Sequence, residues 1–457
     1  MEHSSSSKLK WIVIGAGIAG LTSAYLLKEG GHSVVVLEKS SRRAQVANQI
    51  GGVRIPPNMS RLLQELPGAE KLLREKAKRC SGVSPPYILG VSSDSAFCYV
   101  DCKDDEPAEL VGKMEFAEEI INDLGCDFHF MPHKDLHEYL FTLCTNAGVE
   151  IRHQFEVIDI ISSKGDPNFG GPTAEFPSIY DCQVIGADGK NSVARKVLLA
   201  EEEEAEEEDS LDTTDSERSV LPPMKDFIGA IISIPVSLLQ SDPELASFLR
   251  EENYWTVFMA NGMHMAMSQS GPDLCALDGT AVEKVLERAE GYDPRIKKLI
   301  TLASTSHWYI QTVYDLPRHC VSKLDELVLI GDAVNSIYIN GTHNTAAAFE
   351  EAFTLGRLFS ISNTSALEHF EVNAMDTIVL LSLLPGPERE GRNNGFRLTL
   401  NLEGVDDATL QQVWAGYIMQ FNYDARDAVD EWWMNWSRLG HRQSVPSFGV
   451  SITTAET

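Results

Sequence analysis

The chain has 457 residues and a formal net charge of −29. A chain of this length usually divides into two or three lobes, and the charge excludes nucleic acid or an anionic membrane as the main partner, because phosphate binding needs a basic face. With 43% hydrophobic and 23% charged residues, the composition is that of a globular protein. The eight cysteines show no CxxC pair or metal-ligand spacing, which indicates free thiols in a reducing compartment and no metal site.

Residues 8–39 have the pattern of one βαβ unit. The strand LKWIVIG, a glycine-rich turn and a helix are followed by a second strand, HSVVVLEKS, and this order predicts a parallel sheet. Glycines interrupt the apolar run from Trp11 to Leu27, so we do not expect a signal peptide or a membrane span there. We therefore expect a cytoplasmic protein without an integral membrane segment.

The motif Gly15-x-Gly17-x-x-Gly20 lies between the first strand and the first helix. The first glycine allows a tight turn, the second lets the backbone approach a pyrophosphate, and the third lets helix and strand pack closely. Glu38, 18 residues after Gly20, is placed to accept hydrogen bonds from a ribose diol. The unit therefore predicts a dinucleotide site.

The later sequence predicts a second, mainly antiparallel lobe and a helical end. Short strand candidates such as YILGV and AFCYV follow residue 81, and longer ones such as YWTVFMAN fill residues 225–320. The block at 201–218 is dense in Glu and Asp and poor in apolar residues, which predicts a disordered loop, with a solvated helix as the alternative. The segment YIMQFNYDARDAVDEWWMNW indicates helix in the last 60 or so residues.

Four segments resemble a known family of enzymes. Gly186–Gly189, followed by Ser192 and Arg195, resembles the DG motif of single-component flavin hydroxylases, and Leu329–Ala333 resembles their second FAD motif. Two further segments are similar to salicylate-hydroxylase-like flavin monooxygenases of fungal secondary metabolism, namely Gly52–Asn58 and Tyr423–Ala425. Together with the glycine motif, these segments span most of the chain.

The resemblance implies an α/β fold with a Rossmann-like FAD-binding domain, an inserted antiparallel substrate-binding sheet and a C-terminal helical tail. It also implies FAD as cofactor and NAD(P)H as transient reductant. In this family a flavin C4a-hydroperoxide hydroxylates or epoxidises an aromatic or polycyclic metabolite, and such a substrate is expected between the lobes. The expected boundaries are FAD-binding segments at 8–80, 128–200 and 323–400, substrate-domain segments at 81–127 and 219–322, the acidic loop at 201–218 and the tail at 401–457.

The resemblance also predicts the site residues. The expected cofactor-binding residues are Gly15, Gly17, Gly20, Glu38, Gly52, His133, Asp188, Gly331, Asp332 and Thr345. The candidate catalytic residues are Arg195, His133 and His343, the histidines because an imidazole titrates near neutral pH. Arg195 is also a candidate for a structural role.

The sequence departs from the family pattern around the expected flavin ring. His133 stands where the family has a flavin-contacting Arg, and Phe227-Ile228 stand for a Tyr-Arg pair. Asn335-Ser336 replace His-Pro, Ile339 replaces Pro, and Asn344 replaces a turn glycine. These changes keep a second hypothesis open, in which a homologue with an altered flavin site acts as a non-redox cyclase, isomerase or hydrolase, or binds without catalysis.

Overall fold

The computed structural model describes most of a first lobe, built on the N-terminal βαβ unit, and the main strands of a second lobe. The described residues are 8–80, 82–84, 87–88, 109–110, 114–115, 118–162, 182–209, 227–249, 254–260, 263–271, 274–280, 294–302, 305–311, 317, 319–322, 327–334, 344–361, 421–438 and 450–456.

Strands and helices alternate in the first part of the chain, and strands dominate the middle. The strands are β1 Lys10–Ile14, β2 Ser33–Glu38, β3 Gly52–Ile55, β4 Lys78–Arg79, β5 Gly82–Ser84, β6 Tyr87–Ile88, β7 Glu109–Leu110, β8 Met114–Glu115, β9 His129–Pro132, β10 Glu150–His153, β11 Phe155–Ser162, β12 Gln183–Gly186, β13 Phe227–Pro235, β14 Tyr254–Ala260, β15 Met263–Gln269, β16 Leu274–Thr280, β17 Thr305–Gln311, β18 Leu327–Leu329 and β19 Val450–Glu456. The α-helices are α1 Ile18–Glu29, α2 Arg42–Ala47, α3 Pro57–Gln64, α4 Ala69–Lys76, α5 Glu118–Leu124, α6 His133–Asn146, α7 Val193–Asp209, α8 Val236–Ser241, α9 Pro294–Thr301, α10 Asn344–Ile361 and α11 Ala425–Arg438.

The centre of the first lobe is a parallel sheet in the order β10-β2-β1-β12-β18. Its central strand β1 reads KWIVI and is buried after its first residue, as expected for a parallel strand covered on both faces. Because the strands are parallel, their carboxyl ends meet at one edge, where ligands of such sheets bind. The predicted α/β fold with a Rossmann-like core is confirmed.

Helix α10 packs against both α1 and β1. Gly356 lies so close to α1 that an added Cβ would come within 2.7 Å of Leu26 Cβ. The Phe359 ring packs edge-on against Trp11 with centroids 4.6 Å apart, and its carbonyl lies 3.2 Å from His32 Nε2. The N-terminal βαβ unit is therefore packed against residues more than 300 positions later in the chain.

The second lobe is a sheet in the order β17-β13-β16-β15-β14-β5-β8. All its pairings are antiparallel except that of β14 with β5, which fits the predicted, mainly antiparallel sheet. Strands β5 and β8 come from the 81–127 segment, so this segment contributes to the second lobe. The candidate strand AFCYV at 96–100 lies outside the described residues.

Two predictions about irregular and helical segments were wrong in part. Helix α7 continues to Asp209, so residues 201–209 are helical, as in the alternative prediction, and do not form a disordered loop; residues 210–218 lie outside the described residues. In the tail, α11 is helical as predicted, but residues 450–456 form β19, which pairs antiparallel with β11. Alternating Val450, Ile452 and polar residues suit this strand.

Across the described part of the chain, no helix combines the length and the apolar character needed to traverse a bilayer.

Candidate cofactor site

The glycine motif forms a tight turn that leads from β1 into α1. Gly15 has φ 99°, a conformation that side chains strongly disfavour, and its N–H donates to Leu37 O (2.8 Å). A Cβ on Gly20 would lie 2.1 Å from Gly15 O, so α1 packs directly on the turn. In contrast, Gly17 is exposed, and a Cβ there would meet no described atom within 4 Å. The turn is therefore closed on its inner side and open at Gly17, where α1 begins.

Glu38 lies at the end of β2, beside this turn. Its Oε2 accepts a hydrogen bond from Ala16 N–H (2.9 Å) and its Oε1 accepts one from Ser40 N–H (2.8 Å). Each carboxylate oxygen has further lone-pair capacity. Two backbone amides thus hold the carboxylate at the end of β2, and its predicted contact with a ribose stays a prediction.

Gln45 and His137, which sequence reasoning did not assign to the site, both donate hydrogen bonds to the same turn. The carbonyl of Ala16 accepts from Gln45 Nε2 (2.9 Å) and from His137 Nε2 (2.8 Å). In the sequence, His137 has no motif that places it in a cleft. The only available signal is its i+4 spacing from His133, which puts both residues on one face of α6.

The DG segment touches the glycine turn through its backbone. A Cβ on Gly15 would lie 2.4 Å from Ala187 O, and Ala187 N–H donates to Ile14 O (2.9 Å). The Asp188 carboxylate accepts from Ser192 Oγ (2.5 Å) and from Val193 N–H (2.6 Å), so it binds the first amides of α7. Its predicted contact with the cofactor stays a prediction.

Arg195 connects the DG segment to the second FAD motif. Its guanidinium donates to Ala333 O (3.0 Å) and Asp332 O (3.4 Å), and also bonds Lys190 O. These buried contacts with backbone carbonyls are those of a structural residue, one of the two roles considered for it. A catalytic role for Arg195 stays a prediction.

Gly331 and Asp332 complete the site from the end of β18. Gly331 N–H donates to Glu351 Oε2 (2.6 Å), and a Cβ on Gly331 would lie 2.9 Å from Ala19 Cβ. The Asp332 side chain is exposed, yet desolvation raises its pKa, while Lys190 and Arg195 lower it by less. The predicted contact of Asp332 with the cofactor stays a prediction.

His133 begins α6 next to β3. Its N–H donates to Gly51 O (3.0 Å), and its buried Nδ1 has no hydrogen-bond partner among the described residues. Burial, with a smaller effect of His137, lowers the pKa of His133 to about 4. The imidazole is therefore neutral near pH 7, unlike the arginine that the family has at this position.

Gly52 forms a close contact between the two lobes. A Cβ on Gly52 would lie 2.0 Å from Ser270 Oγ and 2.6 Å from Ser270 Cβ, and one on Gly271 would lie 2.9 Å from Pro132 Cγ. Ser270 is 1% exposed, and its hydroxyl has no partner among the described residues. Sequence reasoning missed Ser270, because only the fold brings it to Gly52.

The N-terminus of α10 holds the remaining predicted residues. Asn344 and Thr345 are half-buried in its first turn, whereas His343, Asn335, Ser336 and Ile339 lie outside the described residues. Further along α10, Glu350 Oε1 accepts from Asn58 Nδ2 (2.6 Å). Desolvation raises the pKa of this buried Glu350 to about 8, although the Asn58 hydrogen bond lowers it.

The tail segment that resembles the family docks on α3. Arg61 donates to Tyr423 O (2.9 Å) and Phe421 O (3.0 Å), and its Nε lies 3.8 Å from Asp424 Oδ2. Tail and Gly52–Asn58 segment are therefore neighbours in the fold.

Comparison with known proteins agrees with this geometry. Residues 10–67 match the family described as FAD dependent oxidoreductase. The match covers the βαβ unit with its glycine turn and continues through α3. This confirms the predicted cofactor, FAD, and the prediction of an oxidoreductase. The match also fits the open Gly17 and the fixed Glu38 carboxylate.

Full-length relatives extend the similarity beyond that domain. The FAD-dependent monooxygenase OpS4 of Beauveria bassiana (strain ARSEF 2860) is 25% identical over 77% of this chain and 76% of its own length. Hispidin-3-hydroxylase of Neonothopanus nambi is 22% identical over 79% and 83%, and 3-hydroxybenzoate 6-hydroxylase of Klebsiella oxytoca is 23% identical over 79% and 82%. The predicted resemblance to FAD-dependent monooxygenases is confirmed.

Solved structures share the fold at lower identity. Native FqzB superimposes with a TM-score of 0.66 at 18% identity, covering 96% of both chains. CtdE in complex with FAD gives a TM-score of 0.61 at 14% identity, covering 95% of this chain and 100% of that one.

Proposed function

We propose that this protein is an FAD-dependent, NAD(P)H-consuming monooxygenase that hydroxylates or epoxidises an aromatic or polycyclic metabolite. The observation that carries the proposal is the meeting of three loops from distant parts of the chain. The Gly15 turn lies against Ala187, Arg195 bonds the carbonyls of Asp332 and Ala333, and Gly331 lies against Ala19 in α1. One extended ligand can therefore contact all three.

The residues of this chain would bind FAD along that line. The open amides at Gly17 suit the pyrophosphate, because a helix N-terminus attracts anions. Glu38 suits the ribose diol, and the exposed Asp332 beside Gly331 suits the ribityl chain. When bound and reduced, FAD supplies the activation of dioxygen and the transfer of one oxygen atom to the substrate.

The contact between the lobes supports a substrate site between them. Gly52 and Pro132 of the FAD lobe are packed against Ser270 and Gly271 at the end of β15, which fixes the second sheet beside the predicted ring end of the cofactor. A pocket between two such bodies excludes water from the reacting atoms. The names of the relatives support the substrate class, since one hydroxylates a hydroxybenzoate and another hispidin.

The charge of His133 favours the non-redox alternative. The neutral His133 supplies no positive charge where the resembled family has an arginine. A site without that charge stabilises anionic reduced flavin less well. A homologue with such a site would retain FAD but use it poorly in redox chemistry.

Spectroscopy of the purified protein tests the proposal. The protein is saturated with FAD and freed of excess cofactor, and its visible absorbance is then followed after addition of NADPH or NADH under air, with and without a panel of phenols. Flavin bands that bleach and then recover with oxygen, with formation of a hydroxylated product, are the expected result. Failure to bind FAD would overturn the proposal, and bound flavin that dithionite reduces but NADPH and NADH do not would favour the non-redox alternative.

A further inference from the structure

The carbonyl of Ala16 is held by two side chains from outside the glycine motif. Gln45 reaches it from α2 and His137 reaches it from α6, at 2.9 and 2.8 Å. Gln45 is 4% and His137 1% exposed. Both hydrogen bonds are therefore shielded from water, which strengthens them.

Further contacts fix the donors in the orientation that they need. Arg42 Nη1 donates to Gln45 Oε1 (3.1 Å), so the amide nitrogen of Gln45 faces Ala16. A carbonyl oxygen only accepts, so His137 must carry a proton on Nε2. Arg42 is held in turn by Glu138 and by the Phe141 ring, whose centroid is 3.6 Å from its Cζ.

The direction of the Ala16 carbonyl determines the direction of the next amide. In a trans peptide the C=O and the following N–H point in opposite directions, and none of the described peptide bonds is cis. Because Gln45 and His137 draw the Ala16 carbonyl toward α2 and α6, the Gly17 N–H points the other way, to the open side of the turn. Gly17 is exposed, and an added Cβ on it would meet no described atom within 4 Å, so its backbone is open to a ligand.

We propose that Gln45 and His137 are positioning residues that aim the Gly17 amide at the pyrophosphate of FAD. The inference rests on the FAD binding of the proposed function and adds two residues that the glycine motif does not contain. Neither side chain needs to touch the cofactor. Their effect is to hold the amide ready, so that binding does not include the cost of turning a peptide unit.

Substitutions of matched size separate positioning from folding. In His137→Gln the amide nitrogen takes the place of Nε2 and restores the donor, whereas in His137→Asn the side chain is too short to reach Ala16. Gln45→Met keeps length and removes the donor. Cys144→Ala is the control, since Cys144 is a buried residue of the same helix that bonds Leu21 O (3.1 Å) in α1 and not the turn.

The measurement is the dissociation constant of FAD for each protein, from the quenching of flavin fluorescence, with the melting temperature of each cofactor-free protein beside it. We expect His137→Asn and Gln45→Met each to weaken FAD binding about fivefold to tenfold, the usual effect of one lost hydrogen bond. His137→Gln and Cys144→Ala should bind FAD within about twofold of the wild type. If the wild type binds FAD but His137→Asn and His137→Gln bind it with the same affinity as each other, this inference alone is overturned. If the wild type binds no FAD, the proposed function is overturned as well.

Discussion

A neutral imidazole occupies a position at which the resembled family carries a permanent positive charge. His133 is half-buried, with a buried Nδ1, and desolvation lowers its pKa to about 4, so it does not titrate between pH 5 and 8. Its backbone nevertheless remains bonded to Gly51, so the side chain is held at the edge of the predicted flavin site. The change of charge therefore alters electrostatics more than local geometry.

Restoring the charge should make the flavin easier to reduce. We expect His133→Arg to raise the midpoint potential of bound FAD by about 30 to 60 mV, which corresponds to 1.4 to 2.8 kcal/mol for a two-electron couple. Anaerobic potentiometric titration measures the shift, and His133→Gln is the uncharged control. Equal potentials in the two variants would show that residue 133 does not act on the flavin.

Glu350 offers a second test on a single residue, through the pH dependence of stability. Its folded pKa of about 8 lies above the ordinary value of 4.5, so its contribution to stability is fully present below about pH 4.5 and is lost as the pH rises toward 8. Glu350→Gln cannot ionise and should gain about 2 to 4 kcal/mol over the wild type between pH 5 and pH 8. Urea unfolding at both pH values measures this difference. Glu75→Gln, at an exposed position, is the control and should show no comparable gain. If the stabilities of Glu350→Gln and wild type change in parallel with pH, the raised pKa of Glu350 is contradicted.

At the scale of elements, two glycines of the turn have different roles: Gly20 allows α1 to pack on the turn, and Gly17 leaves space for the cofactor. A Cβ at position 20 would lie 2.1 Å from Gly15 O, whereas one at position 17 would meet open space. We expect Gly20→Ala to lose about 1 to 3 kcal/mol of stability through overpacking. Gly17→Ala should fold within about 1 kcal/mol of the wild type but bind FAD about tenfold less tightly, because its methyl group stands where the pyrophosphate approaches. Thermal unfolding without cofactor and FAD titration separate the two effects, and a Gly17→Ala protein with wild-type affinity would contradict the proposed path of the cofactor.

The sequence predicted those elements that local signals define. The turn between β1 and α1 was predictable because three glycines at fixed spacing meet steric demands that act within a few residues. The role of His137 was not, because it depends on a contact with Ala16 across 121 positions. Strand β19 was missed for the same reason: its pairing with β11 joins segments almost 300 residues apart. The acidic stretch 201–209 extends α7 because Glu and Ala favour helix strongly, which outweighs the lack of apolar residues.

At the scale of the whole molecule, the two lobes are held in register by small residues. Gly52 and Ser270 are in such close contact that Gly52→Ala cannot be accommodated without a shift of the second sheet. We expect Gly52→Ala to lose about 1 to 3 kcal/mol and to consume NADPH without forming product, since the substrate sheet no longer fits the ring end. The double variant Gly52→Ala/Ser270→Gly should recover most of both losses. The energetic coupling between residues 52 and 270 is measured from the product formed per NADPH consumed and from the melting temperature, with Ser270→Gly as the control. Strictly additive effects of the two substitutions would contradict this coupling.

The parallel sheet also sets an order of events during synthesis. Strand β1 leaves the ribosome first and lies at the centre of the sheet, but its neighbour β12 and the outer strand β18 follow only after residues 183 and 327. At about 5 to 20 residues per second, some 320 residues between Gly15 and Asp332 take roughly 15 to 60 s to translate. Throughout that interval the nascent chain has a glycine turn without the loops that would complete the proposed cofactor site, so a cofactor that needs all three loops can be captured only after Asp332 has been made, and chaperones have time to act before it binds.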